Sequence, residues 1–355
     1  MRDEGHDSAC GAGPPCPHQF GQISPYHPCV PSGREQLDEA VRRLRNGEPI
    51  GFPTETVYGL GAPAFDAGTV RLVFQMKGRP AGNPLIVHVS DEAMARRVTS
   101  AWPESAQRLA SAFWPGALSI VAPRASELPA EVTAGGETVC VRCPGHPVAL
   151  ALIEALDEPI AGPSANRSGH VSPTTPEHVR AEFPGLFVLD GGPCRIGIES
   201  TVVRVGDDRV EVLRRGAVTP GQIESVLGRA VEVSHVSVAG GAVLPSPGLL
   251  DRHYAPRTPT LLIEPGDLPR LTGQARTSVV LAQEPVETSS ESVGVWIRMP
   301  RDAEGYAASL YDALRRADSM KMQRIIVARP SGSGDAALWA AIEDRLRRAS
   351  APDHS

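Results

Sequence analysis

Between Gly51 and Val89 the chain reads GFPTETVYGLGAPAFDAGTVRLVFQMKGRPAGNPLIVHV, and polar groups gather there where an apolar pattern stops. Thr56 follows a short apolar run broken at Pro53. Lys77, Arg79 and Asn83 follow a run of helical spacing, and His88 follows Leu85-Ile86-Val87. In TVCVR the alternation of a strand puts Thr138, Cys140 and Arg142 on one face. An arginine there is costly to bury unless a carboxylate or a ligand anion meets it. The stretch GPSANRSGHVSPTT then gathers Ser164, Asn166, Ser168 and Ser172 on a backbone shaped by Gly162, Gly169 and Pro173. Hydroxyls and amides beside exposed backbone N–H groups suit phosphate and ribose oxygens. Ser200 stands at a strand entrance and Arg214 at a strand exit. Each residue taken singly has a plainer reading, such as a solvated basic loop, a satisfied core histidine or a polar turn. Their joint arrival at element ends, where loops carry function, favours one cleft. Cations, hydroxyls and glycine-shaped loops together stabilise negative charge. The expected chemistry is displacement at a polyphosphate or a carboxylate, driven by positioning and electrostatics.

Several chemistries are excluded. No G-x-x-x-x-G-K-[ST] occurs, so a P-loop ATPase is ruled out, and there is no G-x-S-x-G elbow. No acidic cluster has the spacing of a metal cage; Mg2+ is expected only as a passenger on phosphates. Cys140 and Cys143 form a C-x-x-C, but within a strand, where alternation separates the sulfurs and packing is the favoured role.

The elements that must hold these groups follow from periodicity. A helix is expected over 33–47, with Leu37, Val41 and Leu44 on one face. Gly59 and Gly61 are expected to make a tight turn before a helix capped by Asp66 and stopped at Gly78. Helices are expected over 90–98, 103–113, 146–156, 176–182 and 219–227. Strands are expected over 117–122, 138–142, 159–161, 187–189, 200–205 and 209–214, completing a mixed sheet. Residues 234–259 are Gly/Pro-rich without clean periodicity, yet carry Arg252, His253 and Tyr254 in a row, and read as a linker. Beyond it, strands at 260–263, 278–282, 293–297 and 324–328 alternate with helices at 303–317 and 335–348. That alternation implies a small doubly wound, Rossmann-like domain, without a G-x-G-x-x-G fingerprint.

The fold class is therefore α/β (α+β). Its expected organisation is an extension over 1–32, a catalytic domain over 33–233, the linker 234–259 and the small domain 260–349. With 355 residues there is length for two cores, and a net charge of −6 argues against a broad nucleic-acid-binding face. No apolar run is long enough to span a bilayer and none resembles a signal peptide, so a cytoplasmic protein is expected. Cys10, Cys16 and Cys29 lie with three histidines near the N-terminus, but their spacing matches no zinc pattern.

At FPTETVYGLG, the K-x-R of MKGRPAGNPLIVHV, FWPGALSIV, PSANRSG, IESTVV and SPGLLDRHYAP, the sequence resembles the YrdC-like threonylcarbamoyl-AMP synthase family in its longer, two-domain form. The resemblance covers about residues 33 to 349. It implies condensation of L-threonine, bicarbonate and ATP into threonylcarbamoyl-AMP with release of pyrophosphate. A separate tRNA threonylcarbamoyltransferase complex would then use the product on adenosine 37 of tRNAs reading ANN codons. Carried over by position, Thr56, His88, Arg142, Gly162 and Ser200 would hold threonine. Lys77, Arg79, Asn83, Thr138, Ser164, Asn166, Ser172, Arg214 and Tyr254 would hold ATP, with Lys77 and Arg79 catalytic and the linker lying across the site. The expected site is one hollow sized for a triphosphate and a small hydroxy amino acid. The chain departs from the family at Arg215, where proline is usual, and at Leu249-Leu250-Asp251. It departs also at Gly162, where alanine is common and a looser threonine contact is expected. Two alternatives are an RNA-binding module of the same fold and a carbamoyltransferase for another acceptor.

Overall fold

The computed structural model describes residues 33–206, 209–234, 252–271, 277–284, 294–332 and 334–352. The expectations for residues 1–32 and for Leu249-Leu250-Asp251 lie outside the described residues, as do most of the linker and the start of the strand expected at 293.

The larger sheet has nine strands in the order β1-β2-β6-β3-β5-β4-β7-β8-β9. They are β1 (Ile50–Phe52), β2 (Gly59–Pro63), β3 (Ile86–His88), β4 (Leu118–Pro123), β5 (Thr138–Arg142), β6 (Ile160–Ala161), β7 (Thr201–Val205), β8 (Val210–Arg214) and β9 (Glu232–Val233). Pairing is mixed: β3 runs parallel to β5, β4 antiparallel to β5, and β7 antiparallel to β8. Helices α1 (Gly33–Arg45) and α5 (Pro147–Leu156) bury Val41, Leu44, Leu152 and Ile153 in a core shared with Phe52, Val87 and Val141. Helix α4 (Glu104–Phe113) packs Leu109 with Ile120, Val203 and Ile223, the last from α7 (Pro220–Leu227).

Local chemistry sets the ends that matter. Helix α2 (Ala67–Lys77) begins where the Asp66 carboxylate accepts the Gly68 and Thr69 N–H groups. It ends at Gly78, whose left-handed φ of 61° turns the chain out of the helix just after Lys77. Gly59 and Gly61 depart from expectation: they lie in strand β2, antiparallel to β1, not in a turn. Their small size serves Phe52, because a Cβ on Gly59 would stand 2.4 Å from the Phe52 ring and one on Gly61 2.9 Å. Residues 187–189 form an isolated bridge beside Gly51 in place of a full strand.

The second sheet is parallel, in the order β10-β13-β11-β12. Its strands are β10 (Thr260–Ile263), β11 (Ser278–Ala282), β12 (Val295–Arg298) and β13 (Arg324–Ala328). SVVLA in β11 is buried throughout, as a strand covered on both faces requires. Helices α8 (Ala303–Ser319) and α9 (Ala336–Ala349) supply Leu310, Leu314, Ile342 and Leu346 to its core. No helix among the described residues is long and apolar enough to cross a membrane.

Candidate active site

The register of β3 and β5 pairs His88 with Arg142, so both side chains leave the sheet at neighbouring strand ends. Chain ends of β6 and β8 deliver Gly162 and Arg214 to the same region, and Ser200 precedes β7. These residues line one narrow hollow together with Thr56, Arg79, Ser164, Tyr58, Glu199, His253 and Tyr254. Its volume is about 50 Å³, well below the roughly 300–1,000 Å³ of a site holding a drug-sized ligand. Nine of the fourteen expected residues line the hollow; the expected size is not met. His253 and Tyr254, both buried, form part of the lining, and a hollow of this volume has no room for a larger ligand while they stay in place.

At one end Arg142 is held by two hydrogen bonds and an ion pair, while its Nη2 is buried without a hydrogen-bond partner. Its Nη1 donates to Thr56 Oγ1 at 2.8 Å and its Nε to the Gly116 carbonyl at 3.2 Å. Its Nη2 lies 2.8 Å from Glu55 Oε1. Burial works to raise the Glu55 carboxyl, but the charge of Arg142 and nearby backbone N–H groups hold it below its ordinary value. His88 Nδ1 donates to the Ile160 carbonyl 3.3 Å away, and the ring meets Phe52 edge-on. Burial, and then the charge of Arg142, push its imidazole down to about 3, so it is neutral. Ser200 Oγ lies 2.8 Å from Ser119 Oγ and accepts from Arg214 Nη2 at 3.1 Å. At Gly162 the place of a methyl is taken by the Phe52 ring, 2.9 Å from an ideal Cβ, so the site is not looser there.

The other end is cationic. Arg79 donates to the Asn83 carbonyl, to Asn83 Oδ1 and to the Pro84 carbonyl, which makes Asn83 the residue that aims it. Burial pushes the Arg79 guanidinium down to about 9, with the charge of Arg214 acting in the same direction and Tyr254 opposing. Lys77 is buried behind it and donates to the Ser164 and Asn166 carbonyls, pinning the loop after β6. Burial and the charge of Arg79 lower its ammonium well below the ordinary value. His253 is held neutral by burial and by the charges of Arg79, Lys77, Arg214 and Arg348. Such crowding of positive charge in a dry site is relieved by an anion.

Five of the expected residues do not line the hollow: Lys77 and Asn83, which act on its lining from behind, and Ser172, Asn166 and Thr138. Ser172 donates to Glu199 Oε1 at 2.7 Å. Asn166 donates to the Arg167 and His170 carbonyls, while its Oδ1 is buried without a hydrogen-bond partner. Thr138 begins β5, half-buried, opposite Pro123. Four residues were not foreseen: Glu55, Glu199, Tyr311 and Arg345. Glu55 lies between Thr54 and Thr56 and Glu199 directly before Ser200 and Thr201, so an acid beside hydroxyls at a strand end was the available signal. Among the described residues no group of three His, Cys, Asp or Glu could hold a metal ion.

Residues 42–216 match the family described as Telomere recombination, and residues 218–351 match Threonylcarbamoyl-AMP synthase, C-terminal domain. A threonylcarbamoyl-AMP synthase of Bacillus subtilis is 40% identical over 88% of this chain and 92% of its own length. One from Pyrococcus abyssi is 38% identical over 89% of this chain and 96% of its own. The crystal structure of P. abyssi Sua5 complexed with L-threonine superposes with a TM-score of 0.82 at 34% identity, covering 90% of this chain and 95% of that one. The chain belongs to the Sua5/YrdC threonylcarbamoyl-AMP synthase family, in its two-domain form.

Proposed function

We propose that this protein is a threonylcarbamoyl-AMP synthase, a nucleotidyltransferase that joins L-threonine, bicarbonate and ATP with release of pyrophosphate. The observation that carries the reading is the single hollow that Arg142, Thr56, His88 and Ser200 line together with Arg79 and Arg214. The threonine carboxylate takes the guanidinium face of Arg142, which Glu55 and Thr56 hold in place. Neutral His88, with Ser200 and Gly162, bounds the rest of the amino acid. The threonine nitrogen takes up bicarbonate with loss of water to give a carbamate. A carbamate oxygen then attacks the α-phosphorus, the bond to the β-phosphate oxygen breaks, and pyrophosphate leaves. Charge grows on phosphate oxygens that Arg79 and Arg214 face; no protein nucleophile is needed.

Lys77 works by position, holding the Ser164 and Asn166 carbonyls so that the loop presents its N–H groups to the nucleotide. Asn83 aims Arg79, Ser164 and Tyr254 border the nucleotide, and Thr138, Asn166 and Ser172, off the closed hollow, meet it only once the site has opened. Mg2+ supplies charge neutralisation on the phosphates. The residues present fit an ion carried in by ATP, since Glu199, the carboxylate on the hollow, is already engaged by Ser172, Tyr311 and Arg345. The catalytic domain spans 33–233, the linker 234–259 brings His253 and Tyr254 to the hollow, and 260–349 form the second domain. The adenylate passes in the cytoplasm to a tRNA threonylcarbamoyltransferase complex acting on adenosine 37; weak RNA binding by this chain is compatible with that hand-off.

The test is pyrophosphate release together with mass detection of the adenylate. Both are expected only with threonine, bicarbonate and ATP present. Pyrophosphate release that persists without threonine or bicarbonate would overturn the reading.

A further inference from the structure

Glu199 lies on the hollow, yet the reaction leaves it without a task. It is buried and accepts three side-chain hydrogen bonds. Ser172 Oγ reaches its Oε1 at 2.7 Å; Tyr311 OH and Arg345 Nε reach its Oε2 at 2.8 and 3.2 Å. Two of the three donors come from the second domain, Tyr311 from α8 and Arg345 from α9. Arg345 has no solvent exposure at all, and its Nη1 also lies 3.3 Å from Asp344.

The same two residues hold Tyr254. The Tyr311 ring stacks on it at 5.6 Å and 28°, and the Arg345 guanidinium lies 5.6 Å from its ring centroid. Tyr254 sits at a φ of 60°, in the left-handed region, and its hydroxyl is buried without a hydrogen-bond partner. A bulky residue keeps such a backbone only where its surroundings over-determine it. Those surroundings are Tyr311, Arg345 and His253 at the ring, and backbone hydrogen bonds on either side, from His253 N–H to the Arg348 carbonyl and from Ala255 N–H to the Gly169 carbonyl; Glu199 fixes the orientation of Tyr311 and Arg345. A buried ion pair adds little net stability compared with an apolar contact of the same shape, so directionality is the better account of why one is used here.

We propose that Glu199, Tyr311 and Arg345 form a latch: positioning residues, two of them from the second domain, that hold Tyr254 shut over the hollow. Through Ser172 the latch also grips the loop that borders the nucleotide. The inference rests on the function proposed above. Because a nucleotide cannot enter past a fixed Tyr254, the latch opens and re-forms in each cycle. Its strength therefore sets how tightly nucleotide and adenylate are retained, not how fast the phosphorus is attacked.

Tyr311→Phe keeps the stacked ring and removes only the hydroxyl bonded to Glu199. Expected is a rise in KM for ATP and in the adenylate release rate of about tenfold each, the scale of one lost hydrogen bond to a charged group. The kcat should fall by no more than about twofold, and the thermal midpoint should move little. Arg345→Met should give a larger effect in the same direction, and Arg345→Lys should restore part of it. A second readout needs no turnover: native trypsin should cut after Arg252, next to His253, several times faster in Tyr311→Phe than in wild type. Unchanged cleavage, KM and release in Tyr311→Phe would overturn the latch, as would a loss confined to kcat. If Arg345→Met does not fold, Tyr311→Phe still decides. Failure of wild type to release pyrophosphate would instead sink the proposed function, leaving the trypsin comparison to judge the latch.

Discussion

Replacing Arg142 with methionine separates what the site needs for folding from what it needs for threonine. Arg142 and Glu55 are each about 96% buried at the side chain, with nitrogen and oxygen 2.8 Å apart. Removing the cation leaves Glu55 as an uncompensated buried charge, which typically costs about 3–5 kcal/mol. At roughly 2–4 °C per kcal/mol for a unit of this size, the thermal midpoint should drop on the order of 10 °C. Adding Glu55→Gln removes the stranded charge, so the double variant should recover most of that drop. Threonine binding should behave differently. Loss of charge-assisted bonds to a carboxylate costs about 1.5–3 kcal/mol, so affinity should fall by roughly tenfold to a hundredfold. That loss should persist in the double variant. Differential scanning calorimetry and titration calorimetry with threonine measure the two effects on the same samples. A double variant no more stable than Arg142→Met would show that Glu55 is not the group Arg142 compensates. Unchanged threonine affinity in Arg142→Met would remove Arg142 from the amino-acid site.

Gly59→Ala puts a Cβ 2.4 Å from a Phe52 ring carbon, and overpacking of this kind should cost about 1–3 kcal/mol in thermal stability, partly relieved by Phe52→Leu. At Glu182, burial alone would raise the carboxyl, but the His170 and Arg167 N–H hydrogen bonds and the charge of Arg315 hold it at about 2, below its ordinary 4.5. A carboxyl depressed by folding stabilises above its unfolded value and loses that contribution as pH falls. The thermal midpoint should therefore fall less steeply between pH 4.5 and about 2 in Glu182→Gln than in wild type; equal slopes would refute the assignment. Burial pushes the thiols of Cys140, Cys143 and Cys194 up to about 12. Peptide mass mapping should find them unalkylated by iodoacetamide at pH 8 in the native protein and modified once it is denatured.

Residue types and strand ends were readable from the sequence because they depend on local pattern. Alternation in TVCVR is enough to aim Arg142 with Thr138 and Cys140, and Asp66 and Gly78 mark the ends of α2 by their own chemistry. What alternation does not contain is strand order. His88 and Arg142 are neighbours because β3 pairs with β5 across 54 positions of chain, a tertiary fact. Gly59 and Gly61 were misread as a turn for a related reason. Their lack of a side chain answers to the Phe52 ring on the adjacent strand, not to a positive φ of their own.

Arg345 marks where the sequence held a signal that periodicity alone obscured. In α9 the buried stripe runs Leu338, Ala341, Ile342, Arg345, Leu346 and Ala349, so an arginine occupies a core position of an otherwise apolar face. Embedded in DRLRRA, it reads as one more solvated charge. A cation at that position must meet a buried anion, and a buried acid elsewhere in the chain must meet a cation. Glu199, one residue before Ser200 and just ahead of β7, satisfies both requirements, which joins the second domain to the hollow by charge and not by apolar contact alone. An apolar face could slide; a carboxylate gripped by one guanidinium and two hydroxyls admits far fewer arrangements. The second domain therefore fixes one orientation of Tyr254, and with it the closed form of the site.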